Sequence, residues 1–231
     1  MENSDLQDTL PVLSHQMRTS LTTMKWILKM LLDGDTGELT TEQKTLIGKA
    51  YESNERLCAL VTDMITIAKS DNPEIPYTYE PVDLVELIDE TVFDFVGESY
   101  KKHVEILFLK PTEKPLLVID KEKIRVVLQN LIENAIKYSA AGDKVFISVE
   151  KKPETIEISI KDSGIGIPEH EKNKMFQKFF RGSLTRDIPG TGLGLYTVKT
   201  IIDHHNGQIT CESTEGTGTT FTITLPEKRT V

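Results

Sequence analysis

The sequence predicts an α+β protein, in which an antiparallel helical hairpin is followed by a two-layer α/β sandwich. In residues 6–31 and again in residues 46–67, apolar side chains recur at alternating steps of four and three, which is the heptad pattern of helices packed along a shared seam. After the two prolines of residues 72–76, the pattern changes to short strands and shorter amphipathic helices. We therefore assign residues 1–71 to the hairpin, 72–79 to a linker and 80–231 to the sandwich.

Each predicted helix of the hairpin is about 40 Å long at 1.5 Å per residue. The first spans about residues 5–32, with Pro11 marking either its start or a kink. The second is capped by Thr40 or Thr41. Because the seams run the full length of both helices, two copies of the hairpin would bury them better than one. We predict a homodimer built on a four-helix bundle; the alternative is a monomeric hairpin packed on the sandwich.

The order of strands and helices predicts the sandwich. The predicted strands are 77–82, 104–109, 116–119, 144–150, 155–161, 208–213 and 219–225, and the predicted helices are 84–100, 121–138, a short one with Met175 and Phe176, and 193–205. Tight turns at residues 151–154 and 215–218 join neighbouring strands, so the sheet is expected to be largely antiparallel.

Composition excludes several classes of protein. The formal net charge of −9 argues against a nucleic-acid surface, which needs clustered lysine and arginine. No apolar run reaches the length of a membrane span and no signal-peptide pattern is present. We therefore expect a cytoplasmic chain without a membrane segment, and any upstream sensing or anchoring region lies outside this sequence. Cys58 and Cys211 are expected to be reduced thiols.

One residue of the first helix is placed for chemistry. His15 is two positions from both Leu13 and Met17, roughly 160–200° around the helix from each. The seam therefore turns His15 towards solvent. A lone surface histidine has no function by itself, so the reason for this one has to come from the rest of the chain.

Three polar segments of the sandwich are candidates for a ligand site. Asn130, Asn134 and Lys137 are spaced four and three apart, so they share one helix face, and Glu133 lies close to it. This set suits a magnesium ion with phosphates, because magnesium prefers oxygen ligands and keeps several waters. The alternative is an ordinary polar face of a surface helix.

The other two segments are rich in glycine. Asp162 directly follows a strand, where its carboxylate can accept a hydrogen bond from an exocyclic amine, and Gly164 and Gly166 allow close approach of a flat ligand. The third segment opens a helix, where backbone amides form an anion site. It consists of Gly190, Thr191, Gly192, Leu193 and Gly194. It matches neither a dinucleotide fingerprint nor a Walker loop.

In their order and spacing, the three segments resemble the ATP-binding domain of sensor histidine kinases, within the superfamily of gyrase and MutL-type ATPases. The upstream run His-Gln-Met-Arg-Thr-Ser-Leu at residues 15–21 resembles the phosphoacceptor box of that family, usually His-Glu-Leu-Arg-Thr-Pro-Leu. The resemblance covers nearly the whole chain. It implies a two-component kinase core that binds ATP and Mg²⁺, phosphorylates His15 and passes the phosphoryl group to an aspartate on the receiver domain of a response regulator. Phosphatase activity on that partner is a further implication.

The resemblance assigns roles in the hairpin. His15 would be phosphorylated, Arg18 would lie near the incoming phosphate, and Thr19 would orient water for dephosphorylation. Gln16 stands where the family has an acidic residue, and Ser20 where it has proline. Glutamine cannot take a proton, and general-base help is worth about 10²–10⁴-fold. The alternative function is therefore a dimeric ATP-binding scaffold, or a phosphatase-biased module with weak autokinase activity.

The resemblance also assigns roles around the nucleotide. Asn134, supported by Asn130 or Glu133, would hold magnesium, while Lys137 would contact phosphate and Tyr138 would pack beside the nucleotide. Asp162 would recognise the adenine amine, and Gly164 and Gly166 would admit the base. Arg181 would bind the terminal phosphate. Residues 183–189 would form a mobile lid that is closed by Gly190, Gly192 and Gly194 and docked by Phe176, Phe179 and Phe180. Thr191 and Leu193 are also expected to bind the nucleotide.

Overall fold

The computed structural model describes the backbone of residues 2–70, 77–185, 188 and 190–227, and their side chains apart from those of residues 2–15, 18, 59 and 62–70. Its elements are α1 (Glu2–Asp33), α2 (Thr41–Ser70), β1 (Glu80–Asp83), α3 (Leu84–Asp94), α4 (Val96–Lys102), β2 (Glu105–Leu109), β3 (Leu116–Ile119), α5 (Lys121–Tyr138), β4 (Lys144–Lys151), β5 (Thr155–Lys161), α6 (Glu169–Lys172), a 3₁₀ turn (Ser183–Thr185), α7 (Gly194–His204), β6 (Gln208–Thr214) and β7 (Gly218–Pro226). The predicted α+β class is confirmed.

The two helices of the hairpin are held together by polar contacts that lie beside the predicted seam. Asn54, 2% exposed, donates from Nδ2 to the carbonyl oxygen of Leu21 at 2.9 Å, and Lys25 pairs with Glu55 at 2.6 Å. At the start of α2, the Gln43 amide donates to Thr40 Oγ1 at 3.2 Å and the Thr40 amide donates to Gln43 Oε1 at 2.9 Å. This reciprocal capping box identifies Thr40 as the cap.

The predicted seam itself stays on the surface of a single chain. Five of its larger side chains are 47–62% exposed, namely Met17, Met24, Ile27, Leu46 and Leu57, while Leu31 and Leu60 are half-buried. An apolar row of this length along both helices is typical of a surface that another helix pair covers.

The sandwich contains a five-stranded sheet in the order β2-β4-β5-β7-β6, in which β2 and β4 are parallel and the other neighbours are antiparallel. Strands β1 and β3 form a separate antiparallel pair. Helix α5 packs between α3 and α7 over the sheet. The core side chains of α5 are fully or almost fully buried and are Ile124, Val127, Leu128, Leu131, Ile132, Ala135 and Ile136.

Two helix predictions were wrong in detail. The predicted helix 84–100 is divided into α3 and α4 at Phe95, whose amide donates to the carbonyl of Val92 at 3.0 Å and so closes α3 with a tight turn. The short helix expected at Met175 and Phe176 is α6, which begins directly after Pro168 and ends before those residues. The periodicity of apolar residues does not show where a tight turn divides or ends a helix.

The described end of the linker is bonded to the sandwich. The Thr78 amide donates to Asp120 Oδ2 at 2.9 Å, and the Tyr79 hydroxyl donates to the carbonyl of His204 at 2.9 Å. Asp120 Oδ1 also caps α5 by accepting from the Lys123 amide at 3.0 Å. The amide of Asp120 donates to Nε2 of the buried His205 at 3.1 Å. Asp120 therefore joins the linker to the start of α5 through its carboxylate, and contacts the residue that follows α7 through its amide.

We expect Asp120→Ala to destabilise the sandwich by about 1–3 kcal/mol, because a helix cap and a linker bond are lost together. Urea unfolding followed by circular dichroism measures the loss. The control is Asp203→Ala, which removes an exposed ion pair with Lys199 and should leave the midpoint nearly unchanged. Equal effects of both variants would contradict the role of Asp120.

Candidate nucleotide-binding site

A cavity of about 630 Å³ lies beside α5, within the size range of small-molecule sites. The buried face of α5 packs on the sheet, which leaves its polar face for the cavity. Asn130, Glu133, Asn134, Lys137 and Tyr138 all line it, as the sequence predicted for one face. The cavity thus gathers the α5 residues that were expected to meet a metal ion and phosphates.

Asp162 lies at the opposite wall, directly after β5, and is 6% exposed. Its Oδ1 accepts from the Gly164 amide at 2.9 Å and from the Thr219 amide at 3.1 Å. Burial raises the pKa of this carboxyl, and the two amide hydrogen bonds oppose the rise. Among the described residues Oδ2 has no hydrogen-bond partner, so it can accept from an exocyclic amine in the cavity.

The two glycines after Asp162 differ in position. A Cβ at Gly164 would overlap the carbonyl oxygen of Tyr138, and the neighbouring Ile165 amide donates to that oxygen at 3.2 Å. Gly164 therefore packs on the end of α5, outside the cavity lining. Gly166 lines the cavity, has φ +69 and packs against the carbonyl of Thr214. Glycine is needed at both positions because backbones approach closely.

The glycine-rich segment before α7 packs on the polar face of α5. A Cβ at Gly190 would lie 2.9 Å from Lys137 Nζ, and one at Gly194 would overlap Asn130 Oδ1. Gly192 has φ +74, and Thr191 Oγ1 accepts from the Leu193 amide at 3.3 Å.

Four residues of this glycine-rich segment line the cavity, namely Gly190, Thr191, Gly192 and Gly194. Leu193 differs because its side chain is fully buried in the core. The start of α7 therefore brings backbone amides to the cavity, as expected of an anion site.

Lys137 is the best-placed cation on α5. Burial lowers its pKa, and the attraction of Glu133 partly restores it. A bound anion would favour the charged form in this partly desolvated place. The described residues contain no group of three or more acidic, histidine or cysteine side chains that could hold a metal ion. A magnesium ion would therefore take one or two oxygens from Asn134, Asn130 or Glu133 and the rest from water or phosphate, and the residues present fit that requirement.

Arg181 lies at the mouth of the cavity but contacts the segment that follows it. Its Nη2 donates to the carbonyl of Thr185 at 2.6 Å and to the carbonyl of Ile188 at 2.5 Å. The expected contact with a terminal phosphate would replace these two bonds. Phe180 lines the cavity, and Phe179, with φ +63, packs its backbone on Gly192.

The hairpin supplies a wall that the sequence did not predict. Cavity-lining residues of α2 are Tyr51, Glu52, Glu55, Arg56 and Leu60. The four-residue steps from Glu52 to Arg56 to Leu60 were a detectable signal, but the heptad seam beside them dominated the pattern. Buried Glu171 and Thr219 also line the cavity and were missed.

The phosphoacceptor box lies on α1. Gln16 and Thr19 are exposed, and so is Met17, which was expected to be buried beside His15. The side chains of His15 and Arg18 lie outside the described part, so their predicted directions stay predictions.

Comparisons with known proteins agree with this geometry. Residues 119–229 match the family described as histidine kinase-, DNA gyrase B- and HSP90-like ATPase, and residues 5–73 match the His Kinase A (phospho-acceptor) domain. The sensor histidine kinase WalK of Bacillus subtilis strain 168 is 36% identical over 219 residues, covering 93% of this chain and 36% of WalK. The chain therefore spans about a third of the length of such curated relatives.

Solved structures agree as well. Full-length ShkA in complex with AMPPNP matches 95% of this chain and 45% of its own, with a TM-score of 0.74 and 25% identity. The nucleotide-free catalytic domain of histidine kinase ThkA matches 64% of this chain and 97% of its own, with a TM-score of 0.58 and 33% identity.

A phosphoacceptor hairpin joined to a nucleotide-binding sandwich defines the core of a protein histidine kinase. The chain belongs to the sensor histidine kinase family, and its sandwich is an ATP-binding domain of that family. No helix in the described part of the chain is long and apolar enough to cross a membrane.

The raised pKa of Asp162 predicts a pH-dependent effect of Asp162→Asn. A carboxyl whose pKa is raised in the folded state destabilises the fold when it ionises. The contribution of Asp162 to the stability of the wild type therefore declines as pH rises from about 4 through the raised pKa. The asparagine can keep both amide bonds and has no charge to bury. We expect the unfolding free energy of the variant relative to wild type to increase between acid and neutral pH.

Asp83→Asn is the control of opposite sign. The pKa of Asp83 is lowered, chiefly by the hydrogen bond from the Glu86 amide, so its stabilisation is present at neutral pH and lost in acid. The unfolding free energy of this variant relative to wild type should decrease over the same range. Urea unfolding at several pH values separates the two slopes, and parallel slopes would refute the assignment for Asp162.

Proposed function

We propose that this chain is a two-component kinase core that binds Mg-ATP, phosphorylates His15 and passes the phosphoryl group to an aspartate of a response regulator. The observation that carries the proposal is the composition of the cavity. Its walls combine the nucleotide residues of the sandwich with Tyr51, Arg56 and Leu60 of the hairpin. A bound nucleotide would therefore lie against the helix pair that carries the phosphoacceptor.

The register of the hairpin supports His15 as the acceptor. The Asn54 side chain bonds to the Leu21 carbonyl, so these residues lie at one level of two antiparallel helices. His15 is six residues before Leu21, and Leu60 is six residues after Asn54, which is about 9 Å along each axis. The backbone of His15 is thus level with Leu60, which lines the cavity.

The proposed chemistry is phosphoryl transfer by positioning and charge neutralisation. An imidazole nitrogen of His15 forms a bond to the terminal phosphorus, the bond from that phosphorus to the bridging oxygen of ADP breaks, and the imidazole proton passes to water or to a phosphate oxygen. Asp162 orients the adenine and Lys137 offsets phosphate charge. Asn134, with Asn130 or Glu133, would hold Mg²⁺, which when bound neutralises charge on the phosphate oxygens.

A homodimer is part of the proposal. The exposed seam of Met17, Met24, Ile27, Leu46 and Leu57 is the surface that a second hairpin would cover in a four-helix bundle. The exposed box with Gln16 and Thr19 remains for the receiver domain. We propose a cytoplasmic location for these reactions, since ATP and a receiver domain are both required.

A second candidate rests on Gln16, which is exposed beside the phosphoacceptor and cannot accept a proton. The chain would then be an ATP-binding scaffold, or a phosphatase that uses Thr19, with weak autokinase activity.

Labelling with γ-labelled ATP and magnesium distinguishes the candidates. We expect an acid-labile, base-stable label on wild type that is absent from His15→Ala. Gln16→Glu should raise the labelling rate about tenfold or more, because a proton acceptor is restored. A silent wild type that Gln16→Glu activates identifies the second candidate. Label that persists in His15→Ala would refute the acceptor assignment.

Nucleotide affinity tests the role of Asp162 separately. Asp162→Asn should weaken ATP binding about 10–100-fold, because the asparagine amide faces the adenine amine with a donor in place of an acceptor. Equilibrium binding of a fluorescent ATP analogue measures the loss, and circular dichroism verifies the fold. Asp203→Asn, an exposed change in α7, is the control and should bind like wild type. Undiminished ATP binding by Asp162→Asn would exclude the assignment.

A further inference from the structure

Ser213 is a half-buried residue of β6 to which the proposed chemistry assigns no role. Its Oγ lies 2.8 Å from the Ile167 amide nitrogen, 2.8 Å from the Gly218 carbonyl oxygen and 2.9 Å from Thr219 Oγ1. Ile167 belongs to the loop after β5, whereas Gly218 and Thr219 begin β7. The Ser213 hydroxyl therefore joins the loop that carries Asp162 to the hairpin of β6 and β7.

Only one arrangement of protons makes all three contacts of Ser213 hydrogen bonds. A hydroxyl has one proton and two lone pairs. The Gly218 carbonyl can only accept, so its contact takes the proton of Ser213. The Ile167 amide can only donate, so it takes one lone pair of Ser213. The other lone pair meets Thr219, which must therefore donate its own hydroxyl proton to Ser213.

The direction of the Thr219 hydroxyl matters because this residue lines the cavity. Thr219 is 6% exposed, and its amide donates to Asp162 Oδ1 at 3.1 Å, so the two residues are neighbours in the cavity wall. With its proton given to Ser213, the Thr219 hydroxyl has only lone pairs for a ligand. An ionised Asp162 also only accepts. This part of the wall therefore presents two neighbouring acceptors.

Backbone hydrogen bonds hold the same two segments together. The Asp162 amide donates to the Thr219 carbonyl at 2.9 Å, and the Gly216 amide donates to the Ile165 carbonyl at 2.8 Å. The loop after β5 and the β6–β7 hairpin therefore meet at several points besides the Ser213 hydroxyl. Removing that hydroxyl should leave the two segments in contact and change chiefly the direction of the proton on Thr219.

We propose that Ser213 is a positioning residue that fixes the direction of the Thr219 hydroxyl, and so makes the site select a base with an exocyclic amine over one with a carbonyl oxygen at the same ring position. The inference rests on the proposed nucleotide function and adds a residue that sets base selectivity without touching the base. An amine has two protons to donate, which suits two acceptors, whereas a carbonyl oxygen would face lone pairs from both. Without Ser213, Thr219 could turn its proton into the cavity and donate to that oxygen.

Affinities for ATP and for inosine triphosphate, whose base has a carbonyl oxygen in place of the adenine amine, test this selectivity. We expect the ATP-to-ITP affinity ratio, measured by titration calorimetry, to fall about five- to tenfold in Ser213→Ala. Ser213→Thr keeps the hydroxyl and should stay near wild type. Thr210→Ala, an exposed change on the same strand, is the control and should keep the ratio. An unchanged ratio in Ser213→Ala, or an equal fall in Ser213→Thr, overturns the proposal.

A double-mutant cycle shows whether Ser213 acts through Thr219. Thr219→Val removes the hydroxyl whose direction Ser213 is proposed to fix. In that background, Ser213→Ala should therefore change the ATP-to-ITP ratio little further. Circular dichroism verifies the fold of each variant. Additive effects of the two substitutions would show that Ser213 acts by another route, and would refute the proposed role.

Hydrogen exchange without nucleotide keeps this test separate from the proposed function. The Ile167 amide should exchange faster in Ser213→Ala, which lacks its acceptor, and at the wild-type rate in Ser213→Thr. Unchanged exchange in Ser213→Ala contradicts the hydrogen bond on which the inference depends, even if wild type binds ATP. If wild type binds neither nucleotide while the exchange pattern holds, the proposed function and the base selectivity both fail, and only the link between Ser213 and the loop stands.

Discussion

The site depends on how the last carbonyls of α5 are satisfied. A helix leaves its final carbonyls without partners in the helix, and here Lys102 Nζ donates to those of Ile136 and Lys137, while the Ile165 amide donates to that of Tyr138. The bond from the Ile165 amide to the Tyr138 carbonyl holds the loop after Asp162 against the end of α5. Gly164 makes this close approach sterically possible, because it has no side chain. The Asp162 carboxylate and the Lys137 cation are thereby held in the lining of one cavity.

Helices α5 and α7 connect this cavity to the linker. The cavity-lining parts of α5 and α7 are the C-terminal half of α5 and the first turn of α7. Their other ends meet at Asp120 and His205, where Thr78 and Tyr79 are bonded. The hairpin therefore contacts the catalytic half twice, through the linker and through the α2 wall.

Local patterns predicted what local chemistry determines. The heptad steps, the polar face of α5 and the glycine segments were visible in the sequence, and the elements they predicted are present. What was missed depends largely on tertiary packing, as in the α2 wall and in the hydrogen bond that the Ser183 amide donates to Glu171 Oε1. The bonds of Arg181 to the nearby carbonyls of Thr185 and Ile188 were also missed. Gly164 and Leu193 also show the difference, because a family motif marks both as ligand residues whereas the structure places one on the Tyr138 carbonyl and the other in the core.

For the proposed reaction, the cavity holds more suitable groups than the surroundings of His15 do. In the cavity, the carboxylate of Asp162, the partly desolvated cation of Lys137 and the side-chain amides of Asn130 and Asn134 lie in one lining, which is the set of groups that the proposed nucleotide function requires. Beside the phosphoacceptor, Gln16 can fix an imidazole tautomer through a hydrogen bond but cannot remove its proton. Since phosphoryl transfer needs little covalent help from the protein once the groups are placed, the nucleotide half can still support transfer. In the proposed reaction the rate would then be set by how fast the imidazole proton reaches water or phosphate, and Gln16 is the residue on which that step depends.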